Sequence, residues 1–502
     1  MGAPVRLVTI PYEALKASPT GALDGHLEAA FGPGGLGALT VSGVPGFKDS
    51  RDACLNLGPV LAALENLSSL EDAPSTYSFG WSHGRETLGG RPDVYKGSYY
   101  ANPLTDEPTA DVALQQRHPQ YLRPNIWPDA ELPQLAPTFK ALGRVICDVG
   151  LLLAAHCDAY VAARARGDGA PQSDAPPPPR LRATLEASRN HKARLLHYFP
   201  PEVVAGDDTG SRGSKGGQDQ DSQPWCGWHT DHGSLTGLCS AMYICDGVEV
   251  PSPDPSAGLY MRDRHGDVVQ VAIPPGDVAF QVGEAWQIAS GGLLRATPHC
   301  VKATPAGASK SAPRVSRNTF AVFMQPGVTA SLDCPQGEGA AEAGSIGQWK
   351  PGMSFGDFAE VTVIIAAILV MKPFLITGSV VKIWRIGLSL VRRFMATRCA
   401  CPSPRVVDNR GLPGTRQRRA LAHPAQPAAA SKRRRSAAAL HDTVLSRLVD
   451  IIALAAGTNL LRLSLISCDS MANLAPLSAL VKMQSLETTG ALCLIWRPAE
   501  SC

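Results

Sequence analysis

Between Trp225 and Pro326 the chain is a string of short apolar runs broken by turn signals: LTGLCSAMYI, GLYMRDRHGDVVQVAI around a His-Gly-Asp turn, Pro-Gly-Asp, VAFQV, a Gly-Gly turn, LRATPHCV and NTFAVFMQP. Several short strands at this spacing predict a barrel or jelly roll. The 48 Gly and 42 Pro among 502 residues agree, because they supply turns and disfavour a helical bundle. A hydrophobic fraction of 44% against 18% charged residues excludes a wholly disordered chain. The fold class expected is mainly β with flanking helices: a jelly-roll core, a helical N-terminal region and an irregular or helical C-terminal appendage.

Upstream of the core, residues 1–200 alternate strand and helix. Val5 to Ile10 and Leu36 to Val44 read as strands around a helical stretch from Gly21 to Phe31. Residues 132–166 carry apolar side chains at intervals of three and four, which predicts one long amphipathic helix. Gly167 to Pro179, with its PPPP run, and the insert at 201–224 lack the apolar surface that would offset the entropy of ordering them, so both are expected to be mobile loops. The core is expected to occupy 225–360.

At Glu360 the text changes. Residues 1–360 carry a net charge of −10 and residues 361–502 one of +13. The second part is a basic, low-complexity extension containing Lys432, Arg433, Arg434 and Arg435. Its apolar run from Val361 to Met371 is shorter than the roughly 18 to 20 residues a membrane-spanning helix needs, although 361–395 could associate with a membrane surface. No nucleic-acid partner is expected, since no aromatic residues interleave with the basic cluster. Thirteen cysteines at irregular spacing, with no secretory pattern at the start, point to reduced thiols inside the cell, most simply in the cytoplasm. A nuclear or membrane address would follow only from the extension. Cys399 and Cys401 read as incidental.

The densest chemistry lies in WHTDHGSLTGL. His229 and Asp231 stand two apart on an expected strand, and alternate strand residues share a face. An imidazole and a carboxylate on one face can ligate the same divalent metal, and a third donor from a distant strand would complete a facial triad with open positions. His299 in LRATPHCV, 68 residues on, is the candidate. His232 should face away from that cluster, toward supporting contacts or solvent, and His265 should sit exposed in a turn. Trp228 and Trp286 read as packing residues.

Taken together, GALTVSGVPGF, ARLLHYFPP, WHTDHGSLTGL, GLYMRDRHGDVVQV, PPGDVAFQVGEAWQIASGGLLRATPHCV and RNTFAVFMQP resemble the 2-oxoglutarate and Fe(II)-dependent dioxygenases, in their isopenicillin N synthase-like, plant-type branch. The resemblance covers most of residues 1–360. It implies a double-stranded β-helix, with His229, Asp231 and His299 as both iron ligands and catalytic centre. It further implies Arg317 and Thr319 as the clamp on the distal carboxylate of 2-oxoglutarate, with Tyr198 as a further contact. Arg314 and Ser316 form a competing Arg-x-Ser, but Arg317 lies nine residues before Pro326, as the family's strand requires. The expected cofactors are Fe(II), 2-oxoglutarate and O2, with ascorbate as a candidate reductant. The implied reaction is hydroxylation, desaturation or ring closure of a small organic substrate. Two rival readings stand beside it: an oxidase on the same scaffold that does not consume 2-oxoglutarate, and a non-catalytic binding or scaffold protein with a basic tail.

Overall fold

The computed structural model describes residues 4–85, 87–88, 91–165, 180–200, 224–302, 314–335, 346 and 349–361. Compact packing divides the chain after Met371, and the second unit, Lys372–Cys502, lies outside the described residues. So do the Pro-rich stretch, nearly all of the insert at 201–224, and the basic extension with its apolar run and Cys399 and Cys401.

Seventeen strands are described: β1 (Val5–Arg6), β2 (Val8–Pro11), β3 (Ala38–Ser42), β4 (Gly80–His83), β5 (Thr87–Leu88), β6 (Arg91–Pro92), β7 (Lys96–Ala101), β8 (Lys192–Tyr198), β9 (Pro224–His229), β10 (Leu235–Cys239), β11 (Met242–Cys245), β12 (Val248–Val250), β13 (Gly258–Arg262), β14 (Val268–Ala272), β15 (Val278–Val282), β16 (His299–Lys302) and β17 (Ser316–Met324). Ten form one sheet in the order β2-β3-β15-β10-β17-β8-β7-β4, with β11 and β12 attached beside β17; five form a second, β1-β14-β13-β16-β9. From β9 onward the chain passes back and forth between the two. The larger sheet takes strands from both sides of residue 200.

Each face of the larger sheet has its own neighbour. Phe320, Val322 and Met324 point from β17 into a core shared with the helix Leu135–Ala165, where Phe139 meets Phe320 edge-on at 4.8 Å between centroids. That helix lies so close that a Cβ on Gly237 of β10 would stand 2.2 Å from Ile146, which is why the position is glycine. On the opposite face, Ala38 and Ala279 share a smaller core with Met261 and Val271 of the five-stranded sheet, so the two sheets pack face to face. A third core joins Tyr121 and Leu122 to Phe355 and Phe358 near the end of the described chain.

The long helix expected over 132–166 is found at Leu135–Ala165, and the hairpin around His-Gly-Asp is β13 and β14. One expectation is corrected. LRATPHCV is a strand only from His299, because Arg295 N–H donates to Phe31 O and Ala296 N–H to Gln287 Oε1 instead of to a neighbouring strand. β12 pairs with β11 across Asp246 and Gly247, both at positive φ as a tight two-residue hairpin requires.

Candidate metal centre

His229 ends β9 and His299 begins β16, and the two are directly paired across the five-stranded sheet. Their rings lie 4.2 Å apart between centroids. Asp231 falls two residues beyond the strand rather than on it, which corrects the expectation of an H-x-D lying wholly within one strand. The loop that carries it is pinned from the other sheet: Glu284 N–H donates to Asp231 O at 2.8 Å, Ala285 N–H to Gly233 O at 3.0 Å, and Ser234 N–H to Met324 O at 3.0 Å. These backbone bonds fix the loop so that Asp231 stands opposite the two imidazoles.

One ligand atom from each of His229, Asp231 and His299 lies within 4.8 Å of the others. Asp231 Oδ1 is 3.8 Å from His229 Nε2 and 4.0 Å from His299 Nε2. The remaining polar atoms of the trio are engaged elsewhere. His229 Nδ1 stands 2.8 Å from Gly227 O, which leaves its Nε2 toward the cluster; His299 Nδ1 stands 3.2 Å from Thr297 O and 2.9 Å from the Gln281 amide nitrogen, which also lies 3.3 Å from His299 Nε2. Asp231 Oδ2 accepts from Thr236 Oγ1 at 2.6 Å and from Gln281 Nε2 at 3.2 Å, which leaves Oδ1 to coordinate. Burial alone would push the Asp231 carboxyl up; His299, His229 and the Thr236 hydroxyl outweigh it and hold the group below the usual carboxylate range. Burial brings His299 down to about 4, so its imidazole is neutral and available as a ligand. Two imidazoles and one carboxylate suit a divalent first-row metal, and His229, whose side chain is 42% exposed, leaves one side of the cluster open to solvent.

Thr236 and Gln281, which hold Asp231, are absent from the candidates that the sequence alone suggests. Their signal is a polar side chain inside an otherwise apolar strand, as in VAFQV. His232 turns away from the metal cluster to Tyr121 Oη at 3.0 Å and stacks on Phe355, so it braces the loop and is not a ligand. His265 is exposed in its turn, and Trp286 is buried in the core. Trp228 is 41% exposed with the Arg262 guanidinium 4.8 Å over its ring, which corrects its reading as a packing residue; alternation along β9 turns it away from His229.

Directly paired residues on adjacent strands share a face. The row Gln281, Thr236, Phe323, Lys192 thus crosses the larger sheet on the face toward the metal cluster. Farther along the same face, Arg317 of β17 stands opposite Tyr198 of β8, with its guanidinium 4.9 Å from the ring centroid. Thr319 follows on that face and donates to Cys239 O at 3.2 Å. Arg314 is exposed and precedes the strand, while Ser316 alternates to the face of Asn318, whose Nδ2 donates to the Ser316 hydroxyl at 3.2 Å. The structure therefore brings the metal trio together and sets Arg317, Thr319 and Tyr198 on the same inner wall, leaving Arg314 outside.

No protein-family model matches the chain. Over 153 residues it is 29% identical to a Dictyostelium discoideum protein named "Probable iron/ascorbate oxidoreductase", a stretch covering 29% of this chain and 36% of that protein, so the chain spans little more than a third of that relative's length. Similar solved structures include a full-length Neurospora crassa protein in complex with alpha-KG and thymine (18% identical, 73% of this chain and 98% of that one, TM-score 0.48). Another is the dioxygenase for auxin oxidation from rice (17% identical, 72% and 96%, TM-score 0.43).

Proposed function

We propose that this chain is a non-haem Fe(II) oxygenase that couples 2-oxoglutarate decarboxylation to oxidation of a small organic substrate. The observation that carries the reading is the convergence of His229 Nε2, His299 Nε2 and Asp231 Oδ1, with the other polar atoms of all three residues already engaged. The likeness to an iron/ascorbate oxidoreductase supports it. The passage of β9 to β17 between the two sheets supports reading the core as a double-stranded β-helix.

In this reading His229, Asp231 and His299 hold the iron. Arg317, with Thr319 and Tyr198 beside it, takes the distal carboxylate of 2-oxoglutarate, because a guanidinium pairs bidentately with a carboxylate. Bound there, iron and 2-oxoglutarate would together supply the oxidising power drawn from O2, releasing succinate and carbon dioxide. The protein's part is positioning. Thr236 and Gln281 would hold Asp231 through Oδ2, and the Gly227 and Thr297 carbonyls would orient the two rings. The open side at His229 admits substrate.

His229→Ala, Asp231→Ala and His299→Ala should each abolish iron binding and succinate formation while leaving the circular dichroism spectrum unchanged. Near wild-type iron occupancy in any of them would overturn the metal assignment. Oxygen uptake by the wild type that does not depend on 2-oxoglutarate would move the reading to the oxidase.

A further inference from the structure

Lys192 opens β8 in the same row as Thr236, the residue that holds Asp231, and it faces the interior between the sheets. It is 9% exposed. An ammonium group carries three N–H donors. The hydrogen bond of Lys192 goes to the Gln120 carbonyl, and among the described residues no carboxylate lies within ion-pair distance. Its other neighbours are aromatic: the rings of Tyr121, Phe79 and Tyr100 stand 5.1, 5.4 and 5.9 Å from Nζ. Those faces attract the charge but do not satisfy the remaining two donors. A buried cation in this condition is costly, and burial accordingly brings the Lys192 ammonium down to about 7.

The surroundings indicate what would complete it. Tyr121 joins Lys192 to the metal loop through His232. Arg194, two residues on and on the same inner face, lies 4.9 Å over the other neighbour of Lys192, the Tyr100 ring, and donates to Ser98 Oγ at 2.8 Å. Lys192 and Arg194 thus share one inner face of β8 with the Tyr100 and Tyr121 rings beside them, in line with the row that reaches Thr236. We propose that Lys192 is the recognition point for the carboxylate of the substrate to be oxidised, an organic monoacid whose apolar or aromatic body packs beside the Tyr100 and Tyr121 rings. Two unsatisfied donors on one ammonium match the two oxygens of a carboxylate, and the rings match an apolar body. The inference rests on the oxygenase reading of the metal centre and adds a substrate class to it.

The test uses the full chain, loaded anaerobically with Fe(II) and saturating 2-oxoglutarate so that the Arg317 wall is occupied. Calorimetric titration then compares acids with their neutral amides: benzoate with benzamide, and phenylacetate with phenylacetamide. The wild type should prefer the acid by about 10- to 150-fold, the range for a charge-assisted hydrogen bond. Lys192→Met should lose the preference and Lys192→Arg should keep most of it, with circular dichroism reporting that both variants fold. Equal binding of acid and amide by the wild type, or a preference that survives in Lys192→Met, would overturn the proposal and leave Lys192 capped by water. Failure of the oxygenase reading is distinguishable, because iron-dependent binding of 2-oxoglutarate would then be missing before any acid is added.

Discussion

Arg314 and Arg317 stand three residues apart and occupy opposite environments, one exposed ahead of β17 and the other 7% exposed beside Tyr198 on the inner wall. Loss of a charge-assisted hydrogen bond to a buried carboxylate costs about 1.5 to 3 kcal/mol, or roughly 10- to 150-fold in affinity. Arg317→Ala should therefore raise the apparent KM for 2-oxoglutarate by that factor while Arg314→Ala leaves it within about twofold. Titrating succinate formation in both variants checks this, and the reverse ranking would move the clamp. At this scale the clustering of the candidate donors was legible, since an H-x-D with a distant His is a pattern of residue types. Gln281, Thr236 and Lys192 were not, because only strand pairing sets them in one row beside that cluster. The same is true of His232, whose outward orientation follows from alternation but whose partners Tyr121 and Phe355 lie more than a hundred residues away on either side.

Contact between the helix Leu135–Ala165 and the larger sheet is set by small residues where backbone and side chain meet. Gly237 admits Ile146, and Gly150 on the helix admits Met324, whose sulfur would stand 2.4 Å from an added Cβ. Gly237→Ala should lower stability by about 1–3 kcal/mol through overpacking, read as a lower urea midpoint with an unchanged slope. A second change, Ile146→Leu, which removes the Cγ2 methyl that the added Cβ would meet, should recover part of the loss, and no recovery would mean that the strain lies elsewhere. Elements with a long periodic pattern were readable in advance, the helix above all, since so long a run of regular spacing leaves little ambiguity. Short strands were readable in kind and not in extent. The start of β16 is decided by the capture of Arg295 and Ala296 by Phe31 and Gln287, and the end of β9 by where the loop at Asp231 is captured by Glu284 and Met324, neither of which local sequence encodes.

For the molecule as a whole, the described core closes on the stretch that ends at Val361. Phe355 and Phe358 are fully buried against Tyr121 and Ile288, and Glu360 reaches His118 at 3.7 Å. A chain ending at Val361 should therefore fold and bind iron as the full chain does. Phe355→Ala should cost about 3–5 kcal/mol and weaken iron binding with it, because the Phe355 ring supports the His232 side of the metal loop. Iron titration and urea denaturation of both proteins check the pair. Insolubility of the shorter chain, with the full chain soluble, would place part of the core beyond Val361.

The pairing of β8 with β17 joins residues 192–198 to residues 317–323, and β3 waits in the same way for β15. During synthesis from the N-terminus, β4, β7 and β8 can assemble early, yet β8 keeps one unpaired edge until β17 emerges. Closing so long a loop is slow, and an open strand edge invites association with other chains in the interval. Asp231 is held by Thr236 of β10, which needs β17 and β15 on its two sides, and the last of the three candidate donors in the chain is His299. On the proposed reading, metal loading would be a late event in the life of each molecule, one that follows completion of the sheet instead of seeding it.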